Sequence, residues 1–135
     1  MSELVCCFQG PVIARTFACR HAEEVAARNG PAVLCHDPAA HARCARLLAR
    51  LKDVGLPALG CEDDLLSMPA SAMVRVQAGG VLAIQGALAP QAAAQTTVAD
   101  VAGLLTDEDA IATVADASIA RRIVAYKVER RRGRH

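Results

Sequence analysis

The chain has 135 residues, of which 53% are apolar, a formal net charge of +1, and two Phe and one Tyr as its aromatic residues. This length suits one domain, residues 1–135, with a core of Ala, Val and Leu; such small side chains bury little area each, so a bound metal would add stability. The small net charge argues against a general polyanion binder, and we expect neither a membrane span nor a secretion signal, which predicts a cytoplasmic protein.

The first predicted elements follow the two N-terminal cysteines. Residues 11–16 (PVIART) form a short β-like run, and Thr16 then predicts the cap of a helix from Phe17 to Arg28. The Asn29-Gly30 pair that follows is typical of a helix stop. We therefore expect the first helix to present Cys19 in its first turn.

A short strand and a second helix are predicted next. The apolar run Ala32–Cys35 indicates an extended segment. Asp37 then predicts a helix N-cap with Pro38 at the first helical position, and the helix should run to about Asp53. Helical spacing places two sets of side chains on different faces of it: His41, Cys44, Leu48 and Leu51 on one, and Arg43, Arg46 and Arg50 on another.

The second half is free of cysteine and has its own pattern. Residues 72–78 (AMVRVQA) alternate with a period of two, which predicts a strand that ends in a closely packed turn at Gly79-Gly80. Capping boxes at residues 97–100 and 106–109 predict two further helices, and residues 118–132 predict a last helix or a strand. The predicted fold is therefore mainly helical α+β, with a cysteine-bearing half (1–67) and a cysteine-free half (68–135) that ends in a basic tail.

The sequence holds six cysteines, at Cys6, Cys7, Cys19, Cys35, Cys44 and Cys61. Stable disulfides are disfavoured in a reducing cytoplasm, so clustered cysteines there act as metal ligands, as redox thiols or as small buried apolar residues. Their spacing contains no C-x2-C pair, and it therefore matches neither a zinc ribbon nor the compact ferredoxin pattern. Evidence for a metal site must therefore come from the predicted element on which each cysteine lies.

Four of these cysteines fall on four different predicted elements, and we predict that they form one site. The predicted ligands are Cys19 in a helix first turn, Cys35 at a strand end, Cys44 on an apolar helix face, and Cys61 on a loop. Four thiolates suit either a zinc ion or a cluster. The neighbouring Arg20, Arg43 and Arg46 would stabilise the negative charge of a thiolate-ligated cluster, which favours [4Fe–4S] over zinc.

The histidines and the two N-terminal cysteines are not among the four predicted ligands. His21, His36 and His41 are predicted as alternates to the cysteines or as hydrogen-bond donors to the ligands, with plain surface roles as the alternative. Cys6 and Cys7 are adjacent, so both cannot easily face one metal, and their role stays open. Inert burial of all the cysteines is the simplest competing interpretation.

The predicted function is that of a small [4Fe–4S] protein in electron transfer, cluster carriage or service to a larger redox enzyme, acting on a protein partner. No catalytic motif is present, which favours a role other than that of an enzyme. One alternative is a regulatory or protein-interaction module with structural cysteines or zinc; nucleic-acid binding through the basic tail is an optional part of this alternative and is less expected than a protein partner. A second alternative is a thiol-based redox protein.

Overall fold

The computed structural model describes residues 4–61 and 70–127, which form an α+β fold of mainly helical character, as predicted. Its strands form one three-stranded antiparallel sheet, whose central strand packs against the first helix. A 3-10 turn at Pro90–Ala92 links the third and fourth helices. In chain order, the elements are β1 (Leu4–Val5), α1 (Gln9–Ile13), β2 (Ala22–Ala27), β3 (Gly30–Cys35), α2 (Pro38–Ala58), α3 (Ala70–Leu88), α4 (Val101–Leu104), α5 (Glu108–Ala112) and α6 (Asp116–Ala125).

The sheet has the strand order β1-β3-β2, and β2 and β3 form a hairpin. Their register runs from Ala22 opposite Cys35 to Ala27 opposite Gly30, which leaves a two-residue loop. Gly30 has a φ of 117°, a backbone conformation that favours glycine. The helix predicted over Phe17–Arg28 is therefore wrong, because Asn29-Gly30 belongs to a hairpin turn and strand pairing outweighs local helix propensity.

The β-like run predicted over residues 11–16 is also wrong, because the chain forms the short helix α1 there. Pro11 lies in the first turn of α1, where its missing N–H would have no partner within the helix. The Thr16 hydroxyl donates to the Pro11 carbonyl at 3.2 Å, and Arg15 has a φ of 70°, so the chain reverses direction directly after α1. This reversal brings Phe17 back into the core, where it is 3% exposed.

The predicted start of α2 is confirmed. The Asp37 carboxylate accepts hydrogen bonds from the Ala39 and Ala40 backbone N–H groups, and Pro38 occupies the first turn. The helix extends to Ala58, past the predicted end near Asp53. Because α2 is longer than predicted, its C-terminal end, with Cys61 just beyond it, lies well away from Cys44.

The strand predicted over residues 72–78 is wrong, because these residues lie within the long helix α3. This helix packs against both α2 and α6. It is buried on several sides, so apolar side chains surround it and the helical period is hidden in the sequence. A Cβ on Gly79 would lie 2.7 Å from the Ile123 Cα, and one on Gly80 would lie 2.6 Å from the Leu51 side chain. The close packing predicted at Gly79-Gly80 therefore occurs between helices and not at a turn.

The core joins α2, α3 and α6 to the smaller elements, and both phenylalanines of the chain are buried in it. Its largest fully buried side chains are Phe8, Leu51, Leu82, Ile84, Leu105, Ile119 and Ile123. In the C-terminal part, Asp107 caps α5 by accepting from the Ala110 backbone N–H. The predicted last helix is confirmed as α6 up to Ala125, whereas the basic tail from residue 128 onward lies outside the described residues. Within the described ranges, no helix has the length and apolar character that a bilayer crossing requires.

We predict that Gly79→Ala destabilises the fold by about 1–3 kcal/mol, because its Cβ meets the backbone of α6 and an overpacked core must shift. Gly86→Ala on the same helix is the matched control, since its new Cβ would lie 3.3 Å from the Ala93 Cα in a short connection. Its free energy of unfolding should change by less than about 1 kcal/mol, because helix propensity offsets the contact. Urea unfolding of both variants tests this, and equal effects would contradict the close helix contact at Gly79.

Candidate functional site

Five of the six cysteines line one small cavity of about 20 Å³. They are Cys6, Cys7, Cys19, Cys35 and Cys44. The rest of the lining consists of His41 and the apolar residues Phe8, Val12, Ala22, Ala40 and Val101. The site is therefore a cluster of thiols in apolar surroundings, and we refer to it as the five-thiol cavity.

The two N-terminal cysteines reach the cavity from the turn between β1 and α1. The Cys6 backbone N–H donates to the Val33 carbonyl at 2.9 Å, which continues the pairing of β1 with β3. The Cys7 carbonyl accepts from the Gln77 side-chain amide at 2.9 Å. Because the chain turns at these residues, both adjacent thiols border the same cavity, which an extended strand would not allow.

Cys19 lies in an extended segment that is fixed to the start of α4. The Ala18 N–H donates to the Val98 carbonyl at 2.9 Å, and the Val101 N–H donates to the Ala18 carbonyl at 2.8 Å. On the other side of Cys19, the Asp100 carboxylate accepts from the Arg20 backbone N–H at 3.1 Å and from its guanidinium at 2.7 Å. Burial raises the pKa of Asp100, but these bonds from Arg20 outweigh it and hold the pKa below its usual value.

Cys35 and Cys44 are carried by regular elements. Cys35 is the last residue of β3, the central strand, and its thiol donates to the Asp37 carbonyl at 3.5 Å. Cys44 lies in the second turn of α2, on the side that Ala40 also presents to the cavity. Their positions are therefore set by the sheet and by the capped start of α2.

Three thiols of the cavity, those of Cys6, Cys7 and Cys44, have a raised pKa. Burial, with smaller contributions from the neighbouring thiols Cys7, Cys6, Cys19 and Cys35, raises the pKa of Cys44 to about 12. Burial also raises the pKa of Cys6 to about 11, although a hydrogen bond from the Phe8 backbone N–H opposes this. Burial, followed by the charge of Cys35, raises the pKa of Cys7. These thiols are therefore neutral at physiological pH, and several thiolates in the cavity would repel one another unless a cation joined them.

Cys61 does not join the other predicted ligands. Its backbone N–H donates to the Leu56 carbonyl at 2.8 Å, just beyond the C-terminal end of α2. The helix between Cys44 and Ala58 spans about 20 Å, so Cys44 and Cys61 lie at opposite ends of it. The structure thus brings together Cys19, Cys35 and Cys44 of the predicted set, and adds Cys6 and Cys7 in place of Cys61.

The three histidines divide into two groups. The His21 Nε2 lies 3.3 Å from the Asp37 carboxylate, and the His36 ring is paired with the carboxylate of Glu23. Only His41 among the three lines the cavity. Its Nε2 lies 3.0 Å from the Val5 carbonyl, which can only accept a hydrogen bond, so this nitrogen carries the proton. The same nitrogen lies 3.8 Å from the Cys7 Sγ.

The arginines expected beside the ligands point elsewhere. Arg20 binds Asp100, and Arg46 forms two hydrogen bonds of 2.9 Å with Glu108. Arg43 lies with Arg46 in a separate groove between α2 and α5. None of these three lines the five-thiol cavity, so the expectation that they balance the charge of a cluster receives no support from their positions.

No protein-family profile, no curated protein and no solved structure matches the chain. Across the described residues, no three or more His, Cys, Asp or Glu side chains are arranged as they stand to hold a metal ion. The metal centre expected from the sequence therefore stays a prediction. The five-thiol cavity is therefore the structural feature from which a function can be proposed.

We predict that Cys6 and Cys44 react slowly with iodoacetamide in the folded protein, because the thiolate is the nucleophile and burial keeps both thiols protonated. Their labelling rates, followed by mass spectrometry of peptides, should rise roughly tenfold per pH unit between pH 8 and 10. The unfolded state loses these protons first, near the ordinary thiol pKa of 9.0, so stability should fall as the pH rises above that value. A labelling rate that levels off below pH 9 would contradict the burial of these thiols; protein unfolded in urea provides the reference rates.

We also predict that Gln77→Leu destabilises the protein by about 1–3 kcal/mol, because it leaves the partly buried Cys7 carbonyl without its donor. Gln85→Leu is the matched control: it also lies on α3 and also donates to a carbonyl, that of Thr97, but at an exposed position. Thermal unfolding followed by circular dichroism should separate the two variants. Equal melting temperatures would show that Gln77 does not hold the N-terminal cysteine segment.

Proposed function

We propose that the protein binds a thiolate-ligated metal centre in the five-thiol cavity, and that this centre is a [4Fe–4S] cluster. The observation that carries the proposal is the convergence of five thiols, from four separate segments, on one apolar cavity. Thiolate sets without carboxylates favour soft metals, zinc and iron–sulfur clusters. The proposed ligands are Cys19, Cys35, Cys44 and one of Cys6 and Cys7, and the role is cluster carriage or service to a redox enzyme.

The surroundings of the thiols support such a site. The Phe8 backbone N–H donates to the Cys6 Sγ at 3.4 Å, and the His41 ring, whose Nε2–H donates to the Val5 carbonyl, borders the same cavity. Donors of this kind stabilise thiolate ligands and tune a cluster. The apolar lining around them would limit access of water. Because metal ligands must be thiolates and burial keeps Cys6 and Cys44 protonated, binding must release protons, and we expect affinity to fall at low pH.

The size of the cavity bears on the choice of metal. A volume of about 20 Å³ is close to what one water molecule requires, so a cluster can enter only if side chains rotate and the cavity widens. This observation favours a single zinc ion as the second candidate, held by four thiolates at about 2.3 Å. In that case the protein is a structural or regulatory module, and the metal joins β3, α2 and the N-terminal segment.

The thiol-redox alternative has less support. A redox or nucleophilic cysteine requires a thiolate that is formed readily near neutral pH. Burial instead raises the pKa of Cys6 and Cys44 well above that range. The nucleic-acid alternative rests on the basic tail, most of which lies outside the described residues.

Anaerobic reconstitution with ferrous iron and sulfide tests the proposal. We expect a brown protein with broad visible absorbance and equal amounts of bound iron and sulfide. Cys19→Ser, Cys35→Ser and Cys44→Ser should each lose most of the bound iron, whereas Cys61→Ser, the matched control outside the cavity, should load like the wild type. The double variant of Cys6 and Cys7 should also fail to load.

Three outcomes count against the cluster. Protein that stays colourless and binds one zinc ion without sulfide supports the second candidate instead. Protein that binds neither metal supports inert buried cysteines. Loss of the cluster in Cys61→Ser, with normal loading of Cys44→Ser, would show that the cavity is not the binding site.

A further inference from the structure

The groove between α2 and α5 that contains Arg43 and Arg46 is the second cavity of the molecule, and we refer to it as the arginine groove. Its volume is about 340 Å³, a size typical of sites that bind small molecules. Among the described residues, it shares no lining side chain with the five-thiol cavity. The arginine groove is therefore a separate candidate site, and its chemistry is independent of the cysteines.

The floor of the arginine groove is apolar. Leu47 of α2, Leu105 directly after α4 and Ile111 of α5 line it. Each of these side chains is at most 6% exposed and belongs to the main core, so the fold fixes its position. A ligand gains free energy on such a floor only by removing its own apolar surface from water. The floor therefore favours a ligand with a hydrocarbon part.

The rim of the arginine groove carries three guanidinium groups from α2. Arg43, Arg46 and Arg50 are spaced three and four residues apart, so they lie on one helix face, where like charges repel. Two of the three charges are balanced within the fold. Arg46 forms two hydrogen bonds of 2.9 Å with Glu108, and Arg50 binds Asp116 at 2.7 Å together with two backbone carbonyls.

Arg43 differs from its two neighbours on the rim. It is half-buried, and it forms no hydrogen bond or ion pair with another residue in the described part of the chain. The hydrogen bond from Arg46 lowers the pKa of Glu108, and the charge of Arg43 contributes to this lowering, so the Arg43 guanidinium lies near that ion pair. With two carboxylates facing three guanidiniums, the groove has one excess positive charge beside its apolar floor.

We propose that the arginine groove binds a small organic monocarboxylate with an apolar body. The Arg43 guanidinium donates two parallel hydrogen bonds to the carboxylate, a geometry that the planar group is suited to, and the hydrocarbon part lies on the apolar floor. One excess positive charge matches a monoanion, whereas a phosphate group carries a charge close to −2 at neutral pH. A wholly polar anion would also gain nothing from the floor.

Isothermal titration calorimetry with octanoate tests the proposal. The wild type should bind octanoate saturably. Acetate has the carboxylate without the chain and octanol has the chain without the charge, so each should bind at least about tenfold more weakly. Arg43→Gln should weaken octanoate binding by about tenfold or more, because it removes the charged donor. Lys52→Gln removes the same charge from α2 outside the groove, and this matched control should stay within about twofold of the wild type.

Glu108→Gln provides a second variant with the opposite expected effect. It removes a negative charge from the rim and releases the Arg46 guanidinium, so octanoate should bind about threefold more tightly or better. The pair is exposed, and its loss should leave the fold intact, which circular dichroism checks for every variant. If Arg43→Gln does not fold, this variant decides, and an affinity equal to or below that of the wild type overturns the proposal.

Four further results would also overturn it. The first is a wild type that binds no octanoate, and the second is an Arg43→Gln variant that binds octanoate as tightly as the wild type. The third is octanol that binds as tightly as octanoate, which would make the groove a site for neutral apolar molecules. The fourth is inorganic phosphate that binds more tightly than octanoate, which would make it a site for polar anions.

Discussion

The contact of the α3 backbone with its two neighbouring helices determines where the rest of the molecule lies. At Gly79 and Gly80 there is no room for a Cβ, so α6 and α2 approach α3 as closely as backbone and side chain allow. Gln77, one turn earlier on α3, then reaches the Cys7 carbonyl. The helix that packs against α2 and α6 thus also contacts the N-terminal cysteine segment, because Gln77 binds the Cys7 carbonyl 70 residues away in the chain.

The sequence predicts those parts of the fold that depend on neighbouring residues, such as helix caps. It does not predict those parts that depend on burial between helices. Asp37 and Pro38 mark the start of α2 because capping involves only neighbouring residues. The helical nature of α3 could not be read from its pattern, since a helix enclosed by others has apolar residues on all sides and Val74 and Val76 then mimic a strand. The Asn29-Gly30 turn was ambiguous because the same pair ends helices and connects hairpin strands.

The sequence likewise predicts only part of the five-thiol cavity. Cys35 and Cys44 meet because they lie on either side of a helix start that the sequence marks clearly. Cys61 lies away from the cavity because α2 continues to Ala58, beyond the end near Asp53 that the sequence predicts, and no local signal indicates this extension. Cys6 and Cys7 were left unassigned because adjacent residues of a strand point in opposite directions, and only the turn before α1 brings both to one cavity.

The packing of the core also bears on the kind of metal site that the fold can support. Many small metal-binding domains are unfolded without their ion, because the metal replaces a core that they lack. Here α2, α3 and α6 enclose fully buried Leu51, Ile119 and Ile123, and four cysteines of the cavity pack against this same core. Phe8 closes the core beneath the cavity and is itself fully buried. Because buried apolar side chains hold these helices together, we expect removal of any metal bound in the cavity to leave the protein folded.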